Sequence, residues 1–527
     1  MKVLVSDTLP QESLELLRKE KDLEVDVKTK LSPQELISCI SNYQVLLIRS
    51  GTKVTKEVIN AASNLQIIGR AGVGIDNVDV EAATRRGIIV MNTPDGNTIS
   101  TAEHTIALIL SLSRNIPFAH YSLRNKEWKR EKFAGVELFD KTIGIIGLGR
   151  IGTEVAKRIK AFQMRVIGYD PYVSEERVES LGIEMVGLEQ LYKESDYITL
   201  HVTKTPETKN MISKKEIELM KSEVRIINCA RGGLIQEQDL IEALRNKRIA
   251  GAALDVYEQE PPAESELFSL DNCITVPHLG ASTKEAQLNV GVDIVKQALE
   301  VLKGGMAKNA INIPQIDGNL LNQLKPYLNL GEKLGSFQGQ LASAAIEEVA
   351  IEYAGDMTKY DLKAVSIAIL KGLLSAMIDD ALVNFVNAPF LAKERGIKVV
   401  ESKSSQREDF NNLISVTVKT NKGKSSIAAT LFHKDDARLV YLENFRIDAI
   451  PSGYMLVLSN IDKPGVVGRI GTILGNNNIN IAALYMGREP IKDKQILVIN
   501  VDSFVPEEVI SEIRNLEEIL RVKLIRL

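Results

Sequence analysis

The stretch TIGIIGLGRIGTEVAKRIKAFQMRVIGYD, residues 142–170, decides the fold. Thr142–Ile146 is a short apolar run of the kind a buried parallel strand needs. Gly147-Leu148-Gly149-Arg150-Ile151-Gly152 follows at once, and Ile151–Phe162 has helical periodicity. Arg165–Tyr169 is a second apolar run, and Asp170 ends it. A lone GxGxxG carries little weight. Strand, glycine turn, helix, strand and terminal acid in this order are far more specific. Gly147 permits a tight turn, Gly149 lets backbone N–H groups approach a pyrophosphate, and Gly152 lets the helix lie close to the strand. The N-terminus of the helix adds partial positive charge. Asp170 falls close to the roughly 20-residue spacing at which an acid meets ribose hydroxyls. Pro171-Tyr172 supply no arginine to offset a 2′-phosphate, so NAD is expected in preference to NADP.

Working outward, Tyr197–His201, Val224–Asn228 and Gly251–Leu254 read as further strands with helices between them. Residues 1–141 also alternate strands (Lys2–Val5, Val45–Ile48, Leu65–Gly69) with helices (Gln11–Lys19, Pro33–Ile40). Ser100–Ser111 reads as a buried helix, apolar over most of its circumference. In a simple dinucleotide-binding protein the glycine loop would come first. Here one α/β domain is expected to be inserted in another, and the helix Thr283–Leu302 completes the outer one. The pair Gly304-Gly305 stops that helix. Beyond it, strand-like Glu348–Ala354, Ile414–Thr420, Ser425–Leu431 and Arg438–Ile447 bracket a helical block at Leu362–Asn384, an α+β pattern without evident chemistry. Gly453–Leu527 reads strand, helix, strand, strand, helix, strand, the ferredoxin-like order.

The chain has 527 residues, enough for about three or four domains at roughly 100–200 residues each. Apolar residues are 44% and charged residues 25%, which excludes global disorder. A formal net charge of −4 gives no drive toward nucleic acid or an anionic membrane. Cys39, Cys229 and Cys273 form neither a disulfide framework nor a zinc pattern, so a cytoplasmic protein without a structural metal is expected. The opening MKVLVSDTLP reads as strand then turn, with no leader segment, and no apolar run is long enough to span a membrane.

Removing hydrogen from a hydroxyl carbon requires a base for the O–H proton and a cation for the negative charge of the substrate. His278, in Pro277-His278-Leu279-Gly280 after the run Cys273–Val276, lies where the chain leaves the dinucleotide unit. Sites in α/β folds lie at such carboxyl edges. On local sequence alone a structural histidine explains it equally well. Arg231, among small residues in Asn228–Gly233, suits carboxylate recognition or a surface ion pair. Glu258 and Glu260 could orient His278 or form a solvated turn before Pro261-Pro262.

At these residues the chain resembles the D-isomer-specific 2-hydroxyacid dehydrogenases. Within them it resembles the long-form phosphoglycerate dehydrogenases, which carry a middle domain and a C-terminal ACT domain. The resemblance extends over essentially the whole chain. Its specific parts are RAGVGIDNVD at 70–79, GLGRIG at 147–152, NCARGG at 228–233, ALDVYEQEP at 253–261 and PHLGAST at 277–283. It implies an α/β protein with a Rossmann-type NAD-binding domain, 96–280, inserted in a flavodoxin-like substrate domain, 1–95 plus 281–305. An intervening α+β domain, 306–450, and an ACT domain, 451–527, would follow.

The reaction implied is oxidation of 3-phosphoglycerate to 3-phosphohydroxypyruvate with NAD, in serine synthesis. Arg231, Glu260 and His278 would be the catalytic trio, and Arg49, Arg70, Asn97 and Arg130 would hold substrate, Arg130 reaching across a dimer interface. Cofactor contacts would be Gly147, Gly149, Arg150, Ile151, Gly152, Asp170, Thr203, Cys229, Asp255 and Gly280. Asp462 and Asn480 would bind L-serine across paired ACT domains in a homodimer or homotetramer, although Asn460 departs from the histidine or tyrosine of some relatives. The rivals are another D-2-hydroxyacid dehydrogenase, acting on glyoxylate or hydroxypyruvate, and a dinucleotide-sensing co-regulator on the same scaffold.

Overall fold

Val45–Ile48 (VLLI) is buried at every position, as a parallel strand covered by helices on both faces has to be. It is β3 of a parallel sheet with β1 (Lys2–Val5), β2 (Glu24–Val27), β4 (Ile67–Arg70) and β5 (Ile89–Met91). The order β2-β1-β3-β4-β5 is flavodoxin-like. This is a computed structural model, and it describes residues 1–262, 264–314, 318–378, 383–404, 410–433, 435–488 and 494–527. Helices Pro33–Cys39, Lys56–Ala61 and Val80–Arg85 cover one face of the sheet. Helix Gln11–Arg18 covers the other together with Lys284–Leu302, whose Val290, Ile294, Val295 and Ala298 pack on Val3, Val5 and Met91.

The second sheet comprises β6 (Thr142–Ile146), β7 (Arg165–Tyr169), β8 (Glu184–Met185), β9 (Tyr197–Leu200), β10 (Arg225–Asn228), β11 (Gly251–Leu254) and β12 (Cys273–Thr275). Its order, β12-β11-β10-β9-β6-β7-β8, reverses direction between β6 and β9. A ligand crevice opens at the carboxyl ends of the strands at such a switch point. The helix expected at Ser100–Ser111 runs Thr98–Ser113, and its Ala102, Ile109 and Leu112 are buried against Ile143, Val155 and Ile159 of this unit.

The third sheet holds β13 (Ile346–Gly355), β14 (Lys398–Ser404), β15 (Asn412–Thr420), β16 (Gly423–Phe432), β17 (Asp436–Leu442) and β18 (Phe445–Ala449), in the order β14-β13-β15-β16-β17-β18. One sequence expectation is corrected here, and one helix is added. Arg438–Ile447 is not one strand: Glu443, at a φ of 52°, turns the chain, and β17 and β18 form a hairpin. The helix Gly318–Leu341 also escaped the sequence reading. Pro326 and three glycines interrupt its pattern, yet the glycines are what packing requires. A Cβ on Gly335 would lie 1.9 Å from the Ile369 carbonyl oxygen, and one on Gly372 2.0 Å from that of Glu332. The absence of side chains there lets this helix cross Lys363–Ser375 almost backbone to backbone.

The fourth sheet comprises β19 (Tyr454–Ile461), β20 (Ile481–Arg488), β21 (Lys494–Val501) and β22 (Ile519–Arg526), ordered β20-β21-β19-β22. Strand alternation divides its side chains. Leu456, Leu458, Leu497 and Ile499 face helices Val466–Asn476 and Glu507–Arg514. Met455, Val457, Ile496, Val498 and Ile525 face the other way, into one core with Phe337, Val418 and Leu439 of the third unit. These two units therefore share a single hydrophobic core. They touch the first sheet through small contacts: Asn384 Nδ2 donates to the Gly87 carbonyl at 2.9 Å, and the Arg85 guanidinium lies 4.7 Å from the Phe390 ring centroid.

Candidate active site

The glycine loop is built as its residue types demand. Gly147 leaves β6 at a φ of 96°, where a Cβ would meet the His201 carbonyl oxygen at 2.6 Å. A Cβ on Gly152 would lie 2.0 Å from the Gly147 oxygen, so the helix Arg150–Ile159 can start only on a glycine. Gly149 faces open space, with no atom within 4 Å of its would-be Cβ. A diphosphate can therefore reach the backbone N–H groups at the N-terminus of this helix. Asp170 is tied to the loop itself: Leu148 N donates to Oδ2 at 2.8 Å and Tyr172 N to Oδ1 at 2.9 Å. Each carboxylate oxygen keeps acceptor capacity for a ribose hydroxyl. The donor and acceptor set fits a dinucleotide with a free 2′-hydroxyl.

The cleft beside this loop is lined by Arg150, Ile151, Thr203 and Cys229, by Asp255, His278 and Gly280, and by Asn97 and Arg231. Burial pushes the Cys229 thiol up to about 12, which makes it a wall and not a nucleophile. Burial pushes the His201 imidazole down to about 3, so it stays neutral. Asp255 anchors the His278 loop: its carboxylate accepts from Leu279 N at 2.6 Å and Gly280 N at 2.9 Å. His104 Nε2 lies 3.2 Å from Asp255 Oδ1. His104, Cys229 and Asp255 place their donor atoms within 4.8 Å of one another. Of the three, Asp255 braces the loop, through its bonds to the two backbone amides.

His278 itself has a φ of 52°, held by donation of its N–H to the Asp255 carbonyl at 3.0 Å. Its Nδ1 lies 2.7 Å from Glu260 Oε2, while Glu260 Oε1 accepts from Tyr257 N at 3.1 Å. The ring is thereby oriented, and Nε2 is left for the cleft. The hydrogen bond to Glu260 raises the imidazole above its ordinary value, with burial opposing. Burial pushes the Glu260 carboxyl up, but its hydrogen bond to His278 holds it below the usual range. Glu260 and not Glu258 is the partner; the Glu258 backbone N–H goes instead to Glu237.

Cations converge from three directions. Arg70 ends β4, Arg49 follows β3, and Arg231 follows β10. Burial, then repulsion from Arg231 and Arg49, pulls the Arg70 guanidinium down to about 10. Its Nε is buried without a hydrogen-bond partner, and so is Asn97 Oδ1. Buried unpaired groups are costly, so these two await a ligand. Arg231 Nε lies 3.2 Å from Asp76 Oδ2, and Arg150 Nε 2.7 Å from Asp95 Oδ1. Arg130 is exposed on the turn Arg130–Phe133 and takes no part in the cleft wall of its own chain. Asp76 lies inside RAGVGIDNVD, and its partner Arg231 is remote in sequence, so local pattern carries no sign of the pair.

Residues 106–280 match the NAD-binding domain of the D-isomer-specific 2-hydroxyacid dehydrogenases, and residues 323–443 the D-3-phosphoglycerate dehydrogenase intervening domain. The chain is 45% identical over 528 residues to D-3-phosphoglycerate dehydrogenase of Methanocaldococcus jannaschii, covering 100% of both chains. The chain belongs to the D-3-phosphoglycerate dehydrogenase family. The Bacillus subtilis D-3-phosphoglycerate dehydrogenase is 41% identical over 526 residues, 100% of this chain and 99% of the relative. A solved D-lactate dehydrogenase from Aquifex aeolicus, complexed with NAD and lactic acid, superposes with a TM-score of 0.54 at 29% identity, covering 60% of this chain and 100% of that one. The chain is an NAD-dependent dehydrogenase.

Residues 454–518 match the ACT domain. Asp462 follows β19 and pairs with Arg488 Nε at 3.1 Å; Asn480 precedes β20 and donates to Asp502 Oδ2 at 2.6 Å. Both β19 and β20 run antiparallel to β21, with Ile461 opposite Lys494 and Ile481 opposite Val501. Asp462 and Asn480 therefore stand at opposite ends of the sheet, on the order of 20 Å apart at roughly 3.3 Å per strand residue. One chain does not bring them together. No helix among the described residues is long and apolar enough to cross a membrane.

Proposed function

We propose that this chain oxidises 3-phosphoglycerate to 3-phosphohydroxypyruvate with NAD, in serine synthesis in the cytoplasm. The observation that carries the substrate is Arg231 beside the His278–Glu260 pair, with Arg70 buried, unpaired at Nε and within reach of the charges of Arg231 and Arg49. A substrate with both a carboxylate and a phosphate needs more than one cation next to its hydroxyl.

Bound NAD supplies the acceptor for two electrons and the hydrogen of the substrate carbon. His278 Nε2 takes the hydroxyl proton. Glu260 fixes the tautomer and stabilises the imidazolium that results. Arg231 holds the carboxylate and the developing carbonyl, Arg49 and Arg70 hold the remaining negative charge, and Asn97 contacts the substrate. Asp170 accepts from the ribose, and the N–H groups behind Gly149 carry the diphosphate.

Arg130 acts from a second copy of the chain. Supporting this is the apolar surface beside it, where Tyr121 is 69% and Trp128 82% exposed. The separation of Asp462 from Asn480 also favours a homo-oligomer, since a two-fold pair brings the Asp462 end of one sheet to the Asn480 end of the other. We place an L-serine effector there.

The test is formation of reduced cofactor from NAD and 3-phosphoglycerate by purified protein, repeated with L-serine. Turnover that serine slows supports both parts. Turnover that serine does not change leaves Asp462 and Asn480 as structural residues. If neither this mixture nor the reverse reaction turns over, the substrate assignment falls.

A pH dependence follows. Oxidation needs neutral His278, and its hydrogen bond to Glu260 raises it above 6.5. In pH–rate profiles, kcat/KM for oxidation is expected to climb with pH through a limb above 6.5. Glu260→Gln removes the carboxylate charge and moves that limb to lower pH, with a lower plateau.

A further inference from the structure

Asp76 is an exposed carboxylate whose ion pair crosses the cleft. It is carried by the loop after β4, in the first sheet, and Arg231 follows β10, in the second. The loop that presents it is pinned on both sides. Asn77 Nδ2 donates to the Arg49 and Thr52 carbonyls at 2.7 Å each. Thr93 Oγ1 accepts from Gly72 N at 2.8 Å, and Asn92 Nδ2 donates to the Val73 carbonyl at 2.5 Å. The guanidinium lies directly on this loop: a Cβ on Gly74 would fall 2.3 Å from Arg231 Nη2, so a side chain there would displace it. Besides its ion pair with Asp76, the guanidinium donates a hydrogen bond from Nη1 to the carbonyl of its neighbour Ala230, at 2.7 Å.

Arg231 thus sits between two carboxylates. Asp76 takes its Nε, and Glu260 is close enough to be lowered by its charge. Glu260 already serves His278, whose proton affinity the Arg231 charge opposes. A cation as mobile as an unheld arginine, beside a carboxylate committed elsewhere, would compete for it. Asp76 also offsets the mutual repulsion of Arg70 and Arg231 while the anionic substrate is absent.

We propose that Asp76 is a positioning residue: it holds the Arg231 guanidinium by its Nε edge, ready for the substrate carboxylate and away from Glu260. This rests on the roles given above to Arg231, Glu260 and His278. Asp76 touches no reacting atom, and it acts through the placement of Arg231.

The experiment compares the full-length parent, Asp76→Asn and Asp76→Glu by steady-state kinetics in the oxidative direction, pH–rate profiles and NAD binding by fluorescence. Asp76→Asn is expected to lower kcat by about 10- to 100-fold, the scale of a misplaced binding group. The acid limb of its kcat/KM profile moves to lower pH, because Arg231 now draws on Glu260. NAD affinity stays within about twofold, since the glycine loop is untouched. Asp76→Glu restores most of kcat and returns the limb toward the parent. An unchanged kcat, or a loss with an unmoved limb, overturns the proposal. So does failure of Asp76→Glu to recover when both variants bind NAD normally. A parent that does not turn over 3-phosphoglycerate at all overturns the functional reading instead.

Discussion

Replacing His278 by Asn is expected to lower kcat by about 100- to 10,000-fold, the usual range for loss of a positioned general base. NAD binding should survive. The glycine loop and Asp170 are held by their own hydrogen bonds, and the imidazole is held by Glu260. Asn keeps a short polar side chain at a φ of 52°, a backbone conformation that asparagine tolerates better than other non-glycine residues. The loop should therefore keep its shape, with Asp255 still accepting from Leu279 and Gly280. The measurement is single-turnover formation of reduced cofactor beside a fluorescence titration with NAD. Equal losses in kcat and in NAD affinity would mean that His278 supports the cleft and does not act on the substrate.

Arg231→Lys is expected to lower kcat/KM by about 100- to 1,000-fold, or about 3–4 kcal/mol, the scale for breaking a desolvated charge pair. Lysine keeps the charge but loses the planar fork. Its ammonium cannot meet Asp76, the Ala230 carbonyl and a substrate carboxylate with the geometry of the guanidinium. Most of the loss should appear in KM if the residue only binds, and in kcat as well if it also holds the developing carbonyl charge. Kinetics with 3-phosphoglycerate at saturating NAD separate the two. A loss below about tenfold would assign substrate binding to Arg49 and Arg70 alone.

The glycine loop was legible because its physics is local. Turn, close approach and helix start all fall within Gly147–Gly152, and the structure places each glycine where a Cβ would collide or would block the cleft. The parallel strands were legible for a similar reason: a strand covered on both faces has to be apolar throughout, as Val45–Ile48 is. The middle unit was legible in its strands Glu348–Ala354, Ile414–Thr420 and Ser425–Leu431, but not in its first helix. Gly331, Gly335 and Gly339 read as interruptions, and only the crossing helix Lys363–Ser375 turns them into contacts. Arg438–Ile447 hid a hairpin because the turn at Glu443 lacks the usual glycine.

The sequence by itself determined the dinucleotide unit, the preference for an unphosphorylated ribose, the order of elements along the chain, and a short roster of cations, acids and histidines. Each depends on neighbours within one or two turns or strands. Tertiary structure alone decided the pairings. It set Asp76 against Arg231, put Arg70 within reach of the charges of Arg49 and Arg231, and fused the third and fourth units into one core. It also set Asp462 and Asn480 at opposite ends of one sheet. The physical reason is that charge and hydrogen-bond energies depend on distances of a few ångströms. Sequence separation does not encode those distances once the chain has crossed between two sheets.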